Sequence, residues 1–240
     1  MSGPSSCAVE RLSPEQIEAR LAENPVAYLP LGTLEYHGPH LPVGLDALTA
    51  HGICRGAAER GGGIVLPAFY QGVGGEHTAY PWTIMSNAPG AIEALLGETL
   101  GRLSELGVRR TVILSGHFAE EQRDLVMRIA EGWNAAGGQM SVVARTLGQA
   151  PEPPVAPDHA GRFESLVLAA IDPDLVHVEL LPDAETHPAP SGEDPYGPAR
   201  HDSEHPLHGI FGADPRHLDL ETAAPLLDHL IRWVASLAVV

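Results

Sequence analysis

Short apolar segments alternate with longer amphipathic segments along almost the whole chain, and this alternation is the feature that most constrains the fold. The predicted strands cover residues 26–29, 64–66, 111–114 and 141–144. The predicted helices cover residues 14–24, 46–60, 89–106, 120–135 and 162–171, and a last helix carries the apolar residues of 226–234. Strands that alternate with helices pair in parallel and are covered on both faces, so the sequence predicts an α/β fold with a mainly parallel sheet.

Residues typical of helix ends support these boundaries. Ser13, Pro14 and Gln16 form a capping box with proline at the first helical position. No internal repeat or linker divides the chain, so we expect residues 1–240 to form a single domain. Residues 1–12 are expected to be flexible, and 181–219, rich in Pro, Gly, His and Asp, to form a long loop or lid.

The composition excludes several classes of protein. All 14 basic residues are Arg, and the absence of Lys excludes a P-loop lysine, a Schiff-base lysine and a Ser-Lys nucleophile pair. The net charge of −17 argues against binding to nucleic acids or to anionic membranes. Cys7 and Cys54 are too few for a disulfide framework or a cysteine-based metal site. With no signal-like or membrane-spanning segment visible, the sequence indicates a cytoplasmic protein.

The densest group of chemically useful side chains follows the first predicted strand. Glu35 and His37 are two residues apart, so in an extended stretch they project to the same side, and Asp46 opens the next helix. Open α/β sheets bind their ligands at the carboxyl ends of the strands. Carboxylates mixed with imidazole suit Zn, Mn or Fe better than Ca or Mg, so we expect a metal site here.

His117 follows the third predicted strand directly and is a further candidate ligand. Gly116 permits a sharp turn before it. A nucleophile elbow at Ser115 is excluded, because that motif needs glycine at positions occupied by Ile113 and His117.

A third group lies just before and inside the helix 162–171. Asp158 and His159 lie on the preceding loop, where a general acid or base could reach a substrate. Glu164 lies in the first helical turn, where it could either face the crevice or simply neutralise the helix amino terminus.

Two other regions carry weaker signals. The segment 72–77 fails the G-x-G-x-x-G rule, which argues against a dinucleotide site. Glu76, His77 and Trp82 are instead candidate substrate-binding residues, with a surface loop as the alternative. The histidines of 201–217 are irregularly spaced and favour a lid or subunit contact over a metal site.

Taken together, these motifs resemble the creatininase (creatinine amidohydrolase) family. The segment 32–46 follows the family pattern G-S-x-E-x-H-G-P-H-L-P-x-x-x-D nearly throughout, and 115–120 and 159–165 resemble its N-G-H-x-x-N and H-A-G-x-x-E-T-S blocks. The resemblance spans about residues 26–235 and implies a three-layer α/β/α sandwich and a homo-oligomer, with hexamers frequent in the family.

The resemblance also implies a centre of two divalent metal ions, Zn, Mn or Fe. Glu35 and His117 would bind one ion, His37 the other, and Asp46 would bridge them. Creatininase has a Glu where this chain has Ala119, so Glu164 is the predicted substitute for the second ion, with Glu120 in reserve.

The predicted function is that of a metal-dependent hydrolase. It would cleave a non-peptide C–N bond, in a cyclic amide or formamide of a small molecule, through a metal-activated water, with His159 moving a proton to the leaving nitrogen. Family relatives leave open a keto-inositol hydrolase, a peptide-trimming maturase or a non-catalytic metal-binding protein, and Ala119 is the feature that favours the last.

Overall fold

Four parallel strands form the sheet of this computed structural model, which describes residues 6–75 and 77–239. The strands are β1 (Val26–Leu31), β2 (Ile64–Val65), β3 (Arg110–Ser115) and β4 (Ser141–Thr146), and their order in the sheet is β2-β1-β3-β4. Tyr28 in β1 pairs with Val65 on one side and with Val112 on the other. The predicted parallel sheet is confirmed.

Six α-helices accompany the strands in the described part of the chain. They are α1 (Pro14–Glu23), α2 (Leu45–Gly61), α3 (Pro89–Glu105), α4 (Glu120–Ala135), α5 (Arg162–Ile171) and α6 (Ala223–Leu237). The predicted capping box is present, because the Ser13 side chain accepts from the backbone of Gln16 and the Gln16 side chain accepts from the backbone of Ser13. No helix among these residues is long and apolar enough to cross a bilayer.

The two faces of the sheet carry two separate apolar layers. Alternate residues of β1 point to opposite faces, so that Val26 and Tyr28 join the core beneath α2, α5 and α6. Ala27 and Leu29 join the core beneath α3 and α4 on the other face. The molecule is therefore the expected three-layer α/β/α sandwich.

The start of the described chain differs from expectation. Cys7 and Ala8 are buried, and the Cys7 carbonyl accepts a hydrogen bond of 2.8 Å from the backbone N–H of Val65. The predicted flexibility of residues 1–12 does not fit Cys7 and Ala8, because these two residues pair beside β2 at the edge of the sheet; residues 1–5 lie outside the described residues.

The segment 181–219 has no α-helix or strand but is cross-linked by buried polar groups. The Glu193 carboxylate contacts Arg200 at 2.5 Å and His205 at 2.7 Å. Arg200, itself buried, also donates to the Ile210 carbonyl at 2.9 Å. These contacts hold the segment in a defined shape, and its action as a lid stays a prediction.

Two glycines bring the carboxyl ends of β1 and β3 against the start of α2. A Cβ atom on Gly32 or on Gly116 would collide with the backbone of Asp46. Only glycine allows this approach, so the two strand ends and the first turn of α2 meet around one point. This point is where the functional side chains lie.

Candidate metal centre

Five buried side chains from four segments converge where β1, β3 and the first turns of α2 and α5 meet. They are Glu35 and His37 after β1, Asp46 in α2, His117 after β3 and Glu164 in α5, and none is more than 5% exposed. All five were predicted as metal ligands, and the structure brings all five together. Whether they bind metal is a separate question, which their geometry addresses.

The five side chains form two overlapping groups of three that share Asp46. In the first group, Nδ1 of His117 lies 2.9 Å from Oε2 of Glu35 and 3.5 Å from Oδ2 of Asp46. In the second, Nε2 of His37 lies 3.2 Å from Oδ1 of Asp46 and 3.5 Å from Oε2 of Glu164. Each carboxylate oxygen of Asp46 thus faces a different histidine, which is the arrangement a bridging ligand requires.

Backbone carbonyls fix the tautomer of both histidines. Nδ1 of His37 lies 2.9 Å from the Glu35 carbonyl, and Nε2 of His117 lies 3.2 Å from the Val73 carbonyl. A carbonyl can only accept, so these nitrogens carry the protons, and in the neutral rings the opposite nitrogens present lone pairs to the carboxylates. Metal-binding histidines are oriented by such partners.

His37 and Asp46 face each other through two atoms that lack hydrogen-bond partners. Nε2 of His37 and Oδ1 of Asp46 are buried and form no hydrogen bond within the described structure. Two acceptors that face each other in a buried site need a cation or a proton between them. The donor set of carboxylate oxygens and imidazole nitrogens therefore fits a divalent ion such as Zn, Mn or Fe.

The electrostatics of the site favour positive charge. Burial alone would lower the pKa of His37, but Asp46 and Glu164 raise it to about 10. The pKa of His117 is raised to about 9 by Glu35, again against the effect of burial. The same negative field that holds these protons would stabilise a bound cation.

The pKa values of the three carboxyl groups are shifted in opposite directions. Burial would raise the pKa of Glu35, yet His117 beside it holds that pKa well below its ordinary value. Asp46 behaves likewise beside His37. Burial keeps the pKa of Glu164 well above its ordinary value, so in the absence of a cation Glu164 is the carboxyl group that holds a proton.

Thr33 supports two of the carboxylates and was not predicted from the sequence. Its hydroxyl donates to Asp46 and lies 3.3 Å from Oε2 of Glu35, while its backbone N–H donates to Asp46 at 3.2 Å. The position is the second of the G-T-x-E motif, so a small hydroxyl residue there was the available signal.

A cavity of about 170 Å³ opens directly beside the five side chains. Besides the residues described above, it is lined by Gly75, His77, Phe118, Ala119 and His159. Nδ1 of His77 contacts Oε1 of Glu35, the oxygen that faces away from His117. Of the predicted substrate-binding residues that the structure describes, His77 and Trp82, His77 lines the cavity.

His159 faces this cavity as a neutral imidazole. Its Nε2 lies 3.1 Å from the Tyr36 carbonyl and therefore carries the proton, which leaves Nδ1 as the acceptor. Burial lowers the pKa of His159 to about 3. A ligand atom of this ring also lies close to those of Glu35 and His37, so His159 could serve either as a base or as a ligand.

Asp158 does not line the cavity. Its carboxylate accepts from the backbone N–H groups of Phe163 at 3.2 Å and Glu164 at 3.4 Å, at the start of α5. Burial raises the pKa of Asp158 to about 7 against the effect of these bonds. The structure therefore gives Asp158 a helix-capping position, and its catalytic role stays a prediction.

Two of the other predicted residues, Trp82 and Glu120, do not reach the site. Trp82 is 79% exposed, with a left-handed backbone, and does not line the cavity. The reserve ligand Glu120 is 78% exposed and pairs with Arg123, so Glu164 and not Glu120 joins the cluster. Glu76 lies outside the described residues.

The chain is similar in sequence to known proteins over most of its length. The family model described as creatininase, creatinine amidohydrolase, matches residues 10–238. The chain is 32% identical over 171 residues to the mycofactocin precursor peptide peptidase of Mycolicibacterium smegmatis, a match that covers 68% of this chain and 65% of that protein. It is 29% identical over 221 residues to the creatinine amidohydrolase of Pseudomonas putida, which covers 80% of both chains.

A similar solved structure is described as a manganese form of creatininase. It is 26% identical, has a TM-score of 0.74 and covers 97% of each chain. The likeness thus extends over the whole sandwich and not only over the motifs.

Proposed function

The chain belongs to the creatininase family, and on this premise we propose that it is a metal-dependent amidohydrolase that cleaves a non-peptide C–N bond in a cyclic amide or formamide. The observation that carries this proposal is the carboxylate of Asp46, whose two oxygens face two histidine lone pairs beside an accessible cavity. A cavity of about 170 Å³ suits a small molecule.

Each buried side chain has a role in this proposal. Glu35 and His117 would hold one divalent ion, His37 and Glu164 the other, and Asp46 both. When bound, two such ions lower the pKa of water and polarise a carbonyl group. Manganese is supported by the similar structure described as the manganese form, and zinc by the donor set.

His159 would move the proton during hydrolysis. Because its Nε2 proton is committed to the Tyr36 carbonyl, Nδ1 is the atom that can accept a proton from a water in the cavity. The resulting imidazolium can then donate that proton to the leaving nitrogen, so one residue acts first as base and then as acid.

Peptide hydrolysis is the second candidate function. It is supported by the 32% identity to a protein named for cleaving a precursor peptide. The size of the cavity favours the small-molecule substrate, because a peptide would have to lie across its mouth with little of its length enclosed.

We test the function by loading the purified protein with Mn²⁺ or Zn²⁺, counting ions by mass spectrometry and assaying hydrolysis of creatinine, N-formyl compounds and short peptides. We expect about two ions per chain and turnover of a cyclic amide or formamide. A matched control is Asp228→Asn, because Asp228 pairs with Arg60 on the exposed surface, far from the buried cluster. Turnover of peptides alone would favour the second candidate, and absence of bound metal would contradict both.

We further propose that residues 1–240 form a single domain and that the protein is cytoplasmic, as the sequence indicates, and that it is a homo-oligomer, as the family resemblance implies. Trp82 and Ile84, exposed by 79% and 53%, present apolar surface of the kind found at subunit contacts. Light scattering coupled to gel filtration tests the oligomer, and a hexamer is the expected result.

A further inference from the structure

We propose that Gln122 is a positioning residue for the candidate ligand His117, an inference that rests on the metal centre proposed above. Gln122 belongs to a closed ring of four hydrogen bonds. Its Oε1 accepts from the Val73 backbone N–H at 3.0 Å, and its Nε2 donates to the Ser115 hydroxyl at 3.1 Å. Ser115 in turn donates to the His117 carbonyl at 2.7 Å, and the His117 ring closes the circle on the Val73 carbonyl at 3.2 Å.

The ring holds His117 from two sides at once. By bonding the N–H of Val73, Gln122 fixes the residue whose carbonyl holds the imidazole N–H, and so helps to fix the direction of the lone pair on Nδ1. Through Ser115, it fixes the backbone of His117 at the end of β3. Outer partners of this kind set the orientation and basicity of a histidine ligand.

The burial of Gln122 shows that its amide has a specific use. The other buried residues of α4 are apolar: Leu125, Val126, Ile129 and Ala130. A fully buried amide among them is costly unless both of its ends are paired, and in Gln122 both are. Gly72 packs directly on this amide, since a Cβ there would lie 3.0 Å from Oε1 of Gln122.

The test replaces the amide by an apolar group of similar shape, Gln122→Met. The probe is Co²⁺ alone, titrated into metal-free protein and followed by its visible absorption, with Zn²⁺ competition giving the affinities. We expect one of the two ions, the one beside Glu35 and His117, to bind about 10–100-fold more weakly, and the other to keep its affinity. The slowly exchanging imidazole N–H signal of His117 in the zinc-loaded protein should also be lost.

Two further variants separate positioning from packing. Gln122→Glu, whose protonated form has the shape and hydrogen-bonding groups of Gln, should restore both the affinity and the ring N–H signal. Gln149→Met makes the same exchange at an amide that bonds the Thr146 backbone elsewhere, and should leave both ions unaffected.

Several outcomes would overturn the inference. Equal affinities in wild type and Gln122→Met, with the N–H signal retained, would show that the ring only packs. If Gln122→Met does not fold, Ser115→Ala opens the same ring at one bond, and an unchanged His117 signal and affinity there would count against it. A wild-type protein that binds no Co²⁺ would instead contradict the proposed function itself.

Discussion

At the scale of single residues, Asp46 is the side chain on which both candidate ion positions depend. In Asp46→Asn we expect both ions to be lost, because an amide presents one oxygen and no charge where the carboxylate presents two oxygens to two histidines. The metal-free variant should be less stable than metal-free wild type near neutral pH, because it removes the carboxylate that pairs with protonated His37 in the buried site. Metal counting and chemical denaturation measure the two effects, and retention of two ions would disprove the bridging role.

Glu164 is predicted to bind a metal ion, and His159 is predicted to transfer a proton. Glu164→Gln should lower the metal content toward one ion per chain, because Glu164 belongs only to the group around His37. His159→Ala should keep both ions and lose about 10²- to 10⁴-fold in turnover, because it removes the proton-transfer group. Mass spectrometry of the two variants side by side distinguishes the roles, and loss of an ion from His159→Ala would identify His159 as a ligand.

At this scale the candidate ligands could be predicted from the sequence, but the residues that hold them in place through hydrogen bonds could not. Glu35, His37 and Asp46 share a short motif after a strand, so their spacing alone places them together. Thr33 and Gln122 act through hydrogen bonds whose partners lie 13 and 49 residues away, and no local pattern reports such pairs.

At the scale of elements, the start of α5 decides where Glu164 and His159 point. Asp158 caps this helix from a buried position. Ala160, which lies between His159 and Glu164 in the sequence, has a left-handed backbone with φ 57°. In Asp158→Ala we expect a loss of about 0.5–2 kcal/mol in the free energy of unfolding, the usual cost of losing a helix cap. Denaturation curves measure this loss, and unchanged stability with abolished turnover would instead support the catalytic role predicted from the sequence.

The pH dependence of stability tests whether Asp158 is protonated in the folded protein. Its pKa is about 7 in the folded protein against an ordinary 3.8, so between these values the folded form binds more protons than the unfolded form. The contribution of Asp158 is therefore full at low pH and is lost as the pH rises toward 7. Asp158→Asn should remove this slope in metal-free protein, and a parallel pair of stability curves would contradict the buried, protonated state.

Helices and strands were predictable where their own residues determine them. The capping box at Ser13 and the apolar stripe of α3 mark their elements without outside help. The path of the loop after β2 was not predictable, because Ile84 in this loop pairs with Leu34 in an isolated bridge that depends on tertiary contact. The same holds for Cys7 and Ala8, which pair with Val65.

At the scale of the whole molecule, the sandwich buries three carboxylates within one small region of a chain that already carries a net charge of −17. Such a cluster is stable only with compensating positive charge. In metal-free protein Glu164 holds its own proton and protonated His37 and His117 balance Glu35 and Asp46, and in the metal-bound protein the positive charge would come from the ions. On the proposed function, metal binding would therefore exchange protons for ions at the centre of the fold.

This exchange predicts how metal removal affects stability at different pH. The pKa values of His37 and His117 are about 10 and about 9 in metal-free protein, against an ordinary 6.5. The stabilisation of the folded state by these two protonated histidines is therefore full below pH 6.5 and is lost as the pH rises through 9 and 10.

Ions that bind only the folded state add stability and need neutral histidines. The difference in melting temperature between metal-loaded and chelated protein should thus widen from about pH 6.5 to about pH 9.5. Calorimetric titration of metal at about pH 7.5, in buffers of different ionisation enthalpy, should show release of about three protons per chain, one each from His37, His117 and Glu164. A constant difference in melting temperature, or binding without proton release, would mean that the ions do not replace protons on these two histidines; Asp46→Asn, with no metal to lose, should show no difference at any pH.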